Sequence, residues 1–155
     1  VVSAYYYYRF NKALHDLPLS EFLRSEDLGF LRILKFNSAV REACHGRSDI
    51  LSITYEEMHV DPHATIQACL DFMGVKGITT ADIDATIAHH EFKKMQQAEH
   101  AGELKEKYGK KFFTDAKLSA GVDGQKVRRG AVAGFADEMS AEDLEYCREL
   151  MTRLA

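Results

Sequence analysis

No stretch of this 155-residue chain approaches the run of about 18 apolar residues that a membrane span needs. Its first residues carry no basic-then-apolar secretion signal. The cysteines Cys44, Cys69 and Cys147 are far apart and lie in segments of apolar helical spacing. They lack the paired spacing of a zinc site and read as buried thiols in a reducing, cytoplasmic setting. A Walker loop, a dinucleotide glycine fingerprint and a nucleophile elbow are all absent. His59 and His63 flank Pro62, which breaks the helical geometry a pair of zinc ligands would need, so no metal is expected. The net charge of −4 argues against a general nucleic-acid binder, and no membrane partner is expected.

With 46% apolar and 28% charged residues, the composition is that of an ordinary soluble chain of one-domain size. Such a length suffices to bury roughly two thirds of the unfolded surface. The basic residues are uneven: Lys105, Lys107, Lys110, Lys111, Lys117, Lys126, Arg128 and Arg129 crowd one stretch. Taken alone, such a run is as readily a solvated face as a binding surface.

Periodicity predicts mostly helices. In residues 4 to 14, Tyr5 and Tyr8 fall on one helical face, and Tyr6, Phe10 and Ala13 on another, so this helix should be covered on two sides and end near Leu17-Pro18. Leu28, Leu31, Phe36, Ala39, Val40 and Ala43 predict a long amphipathic helix ending near His45-Gly46. Ile50, Leu51, Ile53 and Tyr55 are the clearest strand candidate. Asp61-Pro62 opens a helix with the stripe Ile66, Cys69, Leu70 and Met73, stopping at Gly74. Thr79 with Asp82, and Ser140 with Asp143, resemble capping boxes. Between about Gln96 and Gln125 the periodicity weakens, which predicts a lid or a mobile loop without an element of its own.

The segment Lys126-Val127-Arg128-Arg129-Gly130 presents two adjacent guanidiniums beside a glycine. This arrangement suits a phosphate monoester, because each guanidinium can bind two oxygens and the glycine lets the main chain approach closely. The plain alternative is a surface arginine pair near a helix start. The segment resembles the C-terminal nucleotide signature of the sulfotransferases, Arg-Lys-Gly, two variable residues, Gly-Asp-Trp-Lys-Asn, one variable residue, Phe-Thr. Arg128, Arg129 and Gly130 fall on its first triplet and Phe135 on its tryptophan.

Three further segments follow the same family in order. Val1-Val2-Ser3, leading into the aromatic-rich helix, is similar to Asp-Val-Ala-Val-Ser. Ile53-Thr54-Tyr55-Glu56-Glu57-Met58-His59-Val60-Asp61-Pro62 resembles the family's strand-to-helix passage of Tyr-Glu-Asp-Met or Leu, then a short spacer and proline. His89-His90-Glu91-Phe92-Lys93-Lys94-Met95 resembles His-Thr-Ser-Phe-x-x-Met. The sequence departs from the pattern at His90-Glu91, at Ala133-Gly134 in place of Gly-Asp, and at Phe135. A carboxylate at Glu91 near an anionic nucleotide is unfavourable unless it points away or pairs with Lys93 or Lys94.

The resemblance implies an α/β, P-loop NTPase-like sulfotransferase fold, of which this chain would be the C-terminal part, predominantly helical with one or two strands. It implies sulfuryl transfer from PAPS to a hydroxyl or amine of a small-molecule acceptor, leaving adenosine 3′,5′-bisphosphate. Arg128, Arg129, Gly130 and Ser3 would hold the 3′-phosphate, Phe92 would pack on the adenine, and Tyr55 would reach an adenine nitrogen. The catalytic histidine and the phosphosulfate loop belong to the family's N-terminal half, which would be this chain's partner, so no catalytic residue is expected within residues 1–155. A homodimer is left open. The rival expectation is a noncatalytic helical interaction or nucleotide-binding module that retains the phosphate clamp.

Overall fold

The computed structural model describes residues 1–109, 121 and 123–154. The α-helices among them are α1 (Val2–Tyr6), α2 (Leu19–Arg24), α3 (Phe30–Cys44), α4 (Tyr55–Val60), α5 (Pro62–Phe72), α6 (Thr80–His89), α7 (Phe92–His100), α8 (Glu103–Tyr108) and α9 (Ala141–Leu154). A π-turn at Tyr7–Asn11 continues α1, and a short 3-10 turn spans Gly134–Asp137. Packing divides the chain into two units. The first comprises the described residues of Val1–Gly46, Thr114–Arg129 and Ala133–Ala155, and the second those of Arg47–Phe113 and Gly130–Val132.

In the first unit Val2, Leu23, Met139 and Cys147 form a buried cluster, with Tyr6, Leu19, Phe30, Leu144 and Tyr146 against it. Burial pushes the Cys147 thiol above its ordinary range, which keeps it protonated and inert. Tyr5 packs edge-on against the fully buried Phe22, and Tyr6 faces the cluster, so the first helix is covered on two sides as its pattern predicts. It ends earlier than Leu17-Pro18, however. The chain leaves the helix at Lys12, and Ala13 takes a left-handed φ of 51°. Gly29 closes the turn between α2 and α3, where a Cβ would stand 2.3 Å from the Ser25 carbonyl oxygen.

Ser140 caps α9 by accepting a hydrogen bond from the Asp143 backbone N–H at 3.1 Å. The reciprocal half of the expected capping box is missing. Besides a hydrogen bond from the Ser140 hydroxyl, the Asp143 carboxylate reaches α2, accepting from Ser20 Oγ at 2.6 Å and from Arg24 at 2.5 Å. Only 3% of that side chain is exposed, against 40% of Arg24, so the ion pair ties α2 to α9 through a carboxylate shielded from water.

In the second unit α4 packs on α5, α5 on α6, and α7 on α8, with Ile83 and Leu104 buried. Two capping boxes start helices here. Thr54 and Glu57 exchange hydrogen bonds ahead of α4, and Thr79 and Asp82 do so ahead of α6, the latter as its spacing predicts. Asp61 caps α5 through the Ala64 N–H at 2.9 Å with Pro62 at its first position. The helix ends before Gly74, which adopts φ 69°.

Residues 50–54 form no strand, and no strand occurs among the described residues, so the α/β expectation finds no sheet there. Extended backbone becomes a strand only through a partner ladder. None of the described segments pairs with it, and Ile50, Leu51 and Ile53 stay 37–40% exposed. The stretch 96–125 is not bare of elements, since α7 and α8 occupy its described first half. The rest of that expectation, from 110 to 120 and at 122, lies outside the described residues, as do Lys110, Lys111 and Lys117 of the basic run.

Candidate functional site

The two guanidiniums of Arg128 and Arg129 converge on one acceptor. Arg128 Nη2 donates to Glu138 Oε1 at 2.7 Å and Nη1 to Oε2 at 3.1 Å, a bidentate pair. Arg129 Nη1 reaches the same Oε1 at 3.2 Å. The 3-10 turn brings this carboxylate back to the arginines, because both the Glu138 and the Met139 N–H return to the Phe135 carbonyl. Met139 is then drawn into the core, which leaves its neighbour Glu138 against Arg128.

The Arg128 guanidinium lies over the Tyr6 ring, 3.7 Å from its centroid, and only 12% of the side chain is exposed. Asp123 Oδ1 lies 3.7 Å from its Nη1. Arg129 is half exposed, at 50%, so its guanidinium still meets solvent. Burial pushes the Glu138 carboxyl up, but hydrogen bonds from Arg128 and Tyr6 and both nearby positive charges outweigh it and hold the group below its ordinary range. The Tyr6 hydroxyl is pushed up to about 12 by burial and by its hydrogen bond to Glu138, so it remains a donor at neutral pH.

Ser3 lies exposed in α1, one turn before Tyr6. Residues three apart share a helical face, so the Ser3 hydroxyl and the Tyr6 ring that carries Arg128 are on one side of α1. The structure thus assembles Arg128 and Arg129 with two residues that the sequence does not single out, Tyr6 and Glu138. The four-tyrosine run hides the first, because periodicity assigns a face without telling a core aromatic from one that carries a cation. Glu138 sits at a position where the signature has no acidic residue to flag it.

In the second unit Phe92 and Gly130 meet. Gly130 has φ 61°, and a Cβ added there would stand 2.2, 2.3 and 2.9 Å from atoms of the Phe92 ring. Phe92 opens α7 with Glu91 as its cap residue. Tyr55 is not at the end of a strand but at the first position of α4, 48% exposed, with its ring edge-on to His59.

A family model described as the sulfotransferase domain matches residues 1–155, the full length of the chain. The chain belongs to the sulfotransferase family. No curated protein and no solved structure gives a significant match.

Membership turns the departures from the sulfotransferase pattern into physical questions. Glu91 pairs with Lys94 at 3.7 Å, which offsets its charge as its spacing allows. Phe135, in the place of the pattern's tryptophan, is 48% exposed. Ala133 stands where the sulfotransferase pattern has glycine, and it adopts φ 58°. A left-handed non-glycine residue costs about 1–2 kcal/mol, partly offset by the lower chain entropy of alanine when unfolded. Ala133 is exposed and contributes no core contact. Ala133→Gly should therefore stabilise the protein by about 0.5–1 kcal/mol, seen as a rise in Tm, and an unchanged or lower Tm would show that this backbone is not strained.

Proposed function

We propose that this sulfotransferase chain holds a 3′-phosphoadenosine nucleotide, PAPS as donor and adenosine 3′,5′-bisphosphate as product. The reaction it serves would be sulfuryl transfer to a hydroxyl or amine of a small-molecule acceptor. Arg128, Arg129 and Ser3, with the Gly130 main chain, would take the 3′-phosphate, and Phe92 and Tyr55 the adenine. The three free cysteines fit a reducing cytoplasmic setting.

The carrying observation is the convergence of both guanidiniums on one pair of oxygens. A phosphate monoester presents oxygens of the same reach with up to twice the charge, and Arg-phosphate pairs are among the stronger polar contacts. The assignment of Phe92 and Tyr55 to the same nucleotide rests on the order of the family's motifs in the sequence. Aromatic contact with a base is worth roughly 1–3 kcal/mol.

Calorimetric titration with adenosine 3′,5′-bisphosphate tests the reading. Two charge-assisted contacts at roughly 1.5–3 kcal/mol each predict at least a hundredfold loss of affinity in an Arg128→Ala/Arg129→Ala variant. A folded variant that binds like the parent chain would refute the clamp.

A further inference from the structure

We propose that Glu138 occupies the clamp in the nucleotide's place, a built-in competitor that a phosphate monoester must displace to engage Arg128 and Arg129 together. This rests on the reading of the two arginines as the 3′-phosphate site and adds its regulation. The Glu138 side chain is only 10% exposed, and its carboxylate takes both outer nitrogens of Arg128 together with Nη1 of Arg129. An incoming phosphate cannot use the same nitrogens while the carboxylate holds them. Were it to bind alongside, two anions would sit within a few ångströms of one another, where repulsion is substantial.

The surroundings keep Arg128 in place without Glu138. Its guanidinium lies on the Tyr6 ring and near Asp123, so loss of the Glu138 charge leaves a platform and a second anion. The backbone of Glu138 is tied to the Phe135 carbonyl and Met139 to the core, so displacement requires only rotation of the side chain. The Tyr6 hydroxyl, which donates to Glu138, is released by the same rotation and becomes available to a phosphate oxygen. The clamp is therefore self-neutralised when empty. Free arginines facing solvent would attract any anion, whereas a carboxylate in the seat admits only a ligand able to outbid one negative charge.

The test is calorimetry of adenosine 3′,5′-bisphosphate binding to the full chain and to Glu138→Gln at one fixed salt concentration. Removing a charge that both competes with and repels the ligand should tighten binding roughly tenfold or more. Binding by Glu138→Gln where the parent chain shows none supports the proposal equally. Equal or weaker affinity in Glu138→Gln, with binding intact in the parent, overturns it and makes Glu138 a residue that positions Arg128. Absence of binding in both folded proteins overturns it together with the clamp reading. Should Glu138→Gln fail to fold, Glu138→Asp keeps the charge but is one methylene shorter and cannot span both guanidiniums. It should show a gain in the same direction, and a loss would sink the proposal.

Discussion

Gly130→Ala should destabilise the protein by about 2–5 kcal/mol and weaken binding of adenosine 3′,5′-bisphosphate at least tenfold. Two costs add at this position. The backbone is left-handed, at φ 61°, which costs an alanine about 1–2 kcal/mol. The new methyl would also stand 2.2 Å from the nearest atom of the Phe92 ring, far inside contact distance. Relief requires the ring to swing off the glycine, and that ring is the proposed adenine platform. Gly46 separates the two contributions. It has φ 71°, and a methyl added there would meet nothing within 4 Å, so Gly46→Ala should cost only the backbone strain and leave nucleotide affinity unchanged. Equal losses of Tm and affinity in the two variants would show that the Phe92 contact contributes nothing.

Asp143→Asn should lower stability by about 2–3 kcal/mol near neutral pH, a fall in Tm of roughly 5–10 °C. The Asp143 carboxyl is held at about 2, against an ordinary 3.8. Burial alone would raise it. Hydrogen bonds from Ser20, Arg24 and Ser140, together with the Arg24 charge, outweigh that effect. A depressed carboxyl contributes stability that is complete above its unfolded value and is lost as pH falls through the folded one. The parent chain should therefore lose this contribution between about pH 4 and pH 2, while Asp143→Asn, already without it, should show a shallower acid slope there. Acid titrations of the two chains that superimpose would contradict a stabilising ion pair. The location of the pair matters for the site, because α2 and α9 belong to the same unit that carries Arg128, Arg129 and Glu138.

Much of the helical order is legible from short-range chemistry. Thr79 with Asp82 and Asp61 with Pro62 satisfy the free N–H groups of a helix start within four residues, so no tertiary information is needed. The helices of Gln96–Gln125 escape the apolar pattern because α7 starts at Phe92, with Phe92 and Met95 lying before that stretch, and α8 has only six residues with Leu104 as its buried one. Ile50–Tyr55 misleads for the opposite reason. Its composition suits a strand, but strand formation depends on a partner that a local pattern cannot report. Asp143 shows a similar limit, since its spacing from Ser140 suits a capping box while a basic residue on α2 offers its carboxylate a stronger contact.

At the site the covalent neighbours Arg128 and Arg129 are visible as a pair, and the family pattern suggests a role for them. Their carboxylate partner is invisible in the sequence because the contact depends on the 3-10 turn returning the chain ten residues later. The Phe92–Gly130 contact has the same character. The motifs pick out both residues separately, and only the fold brings them within touching distance.

The central claim is that Arg128 and Arg129 recognise a 3′-phosphate on an adenosine nucleotide. The most direct measurement compares the affinities of the unmodified chain for adenosine 3′,5′-bisphosphate and adenosine 5′-monophosphate, which differ only in that group. The clamp predicts a preference of roughly a hundredfold or more for the bisphosphate, narrowing as salt is raised. Equal affinity for the two nucleotides, or no binding of the bisphosphate by either the folded chain or its Glu138→Gln variant, would contradict it.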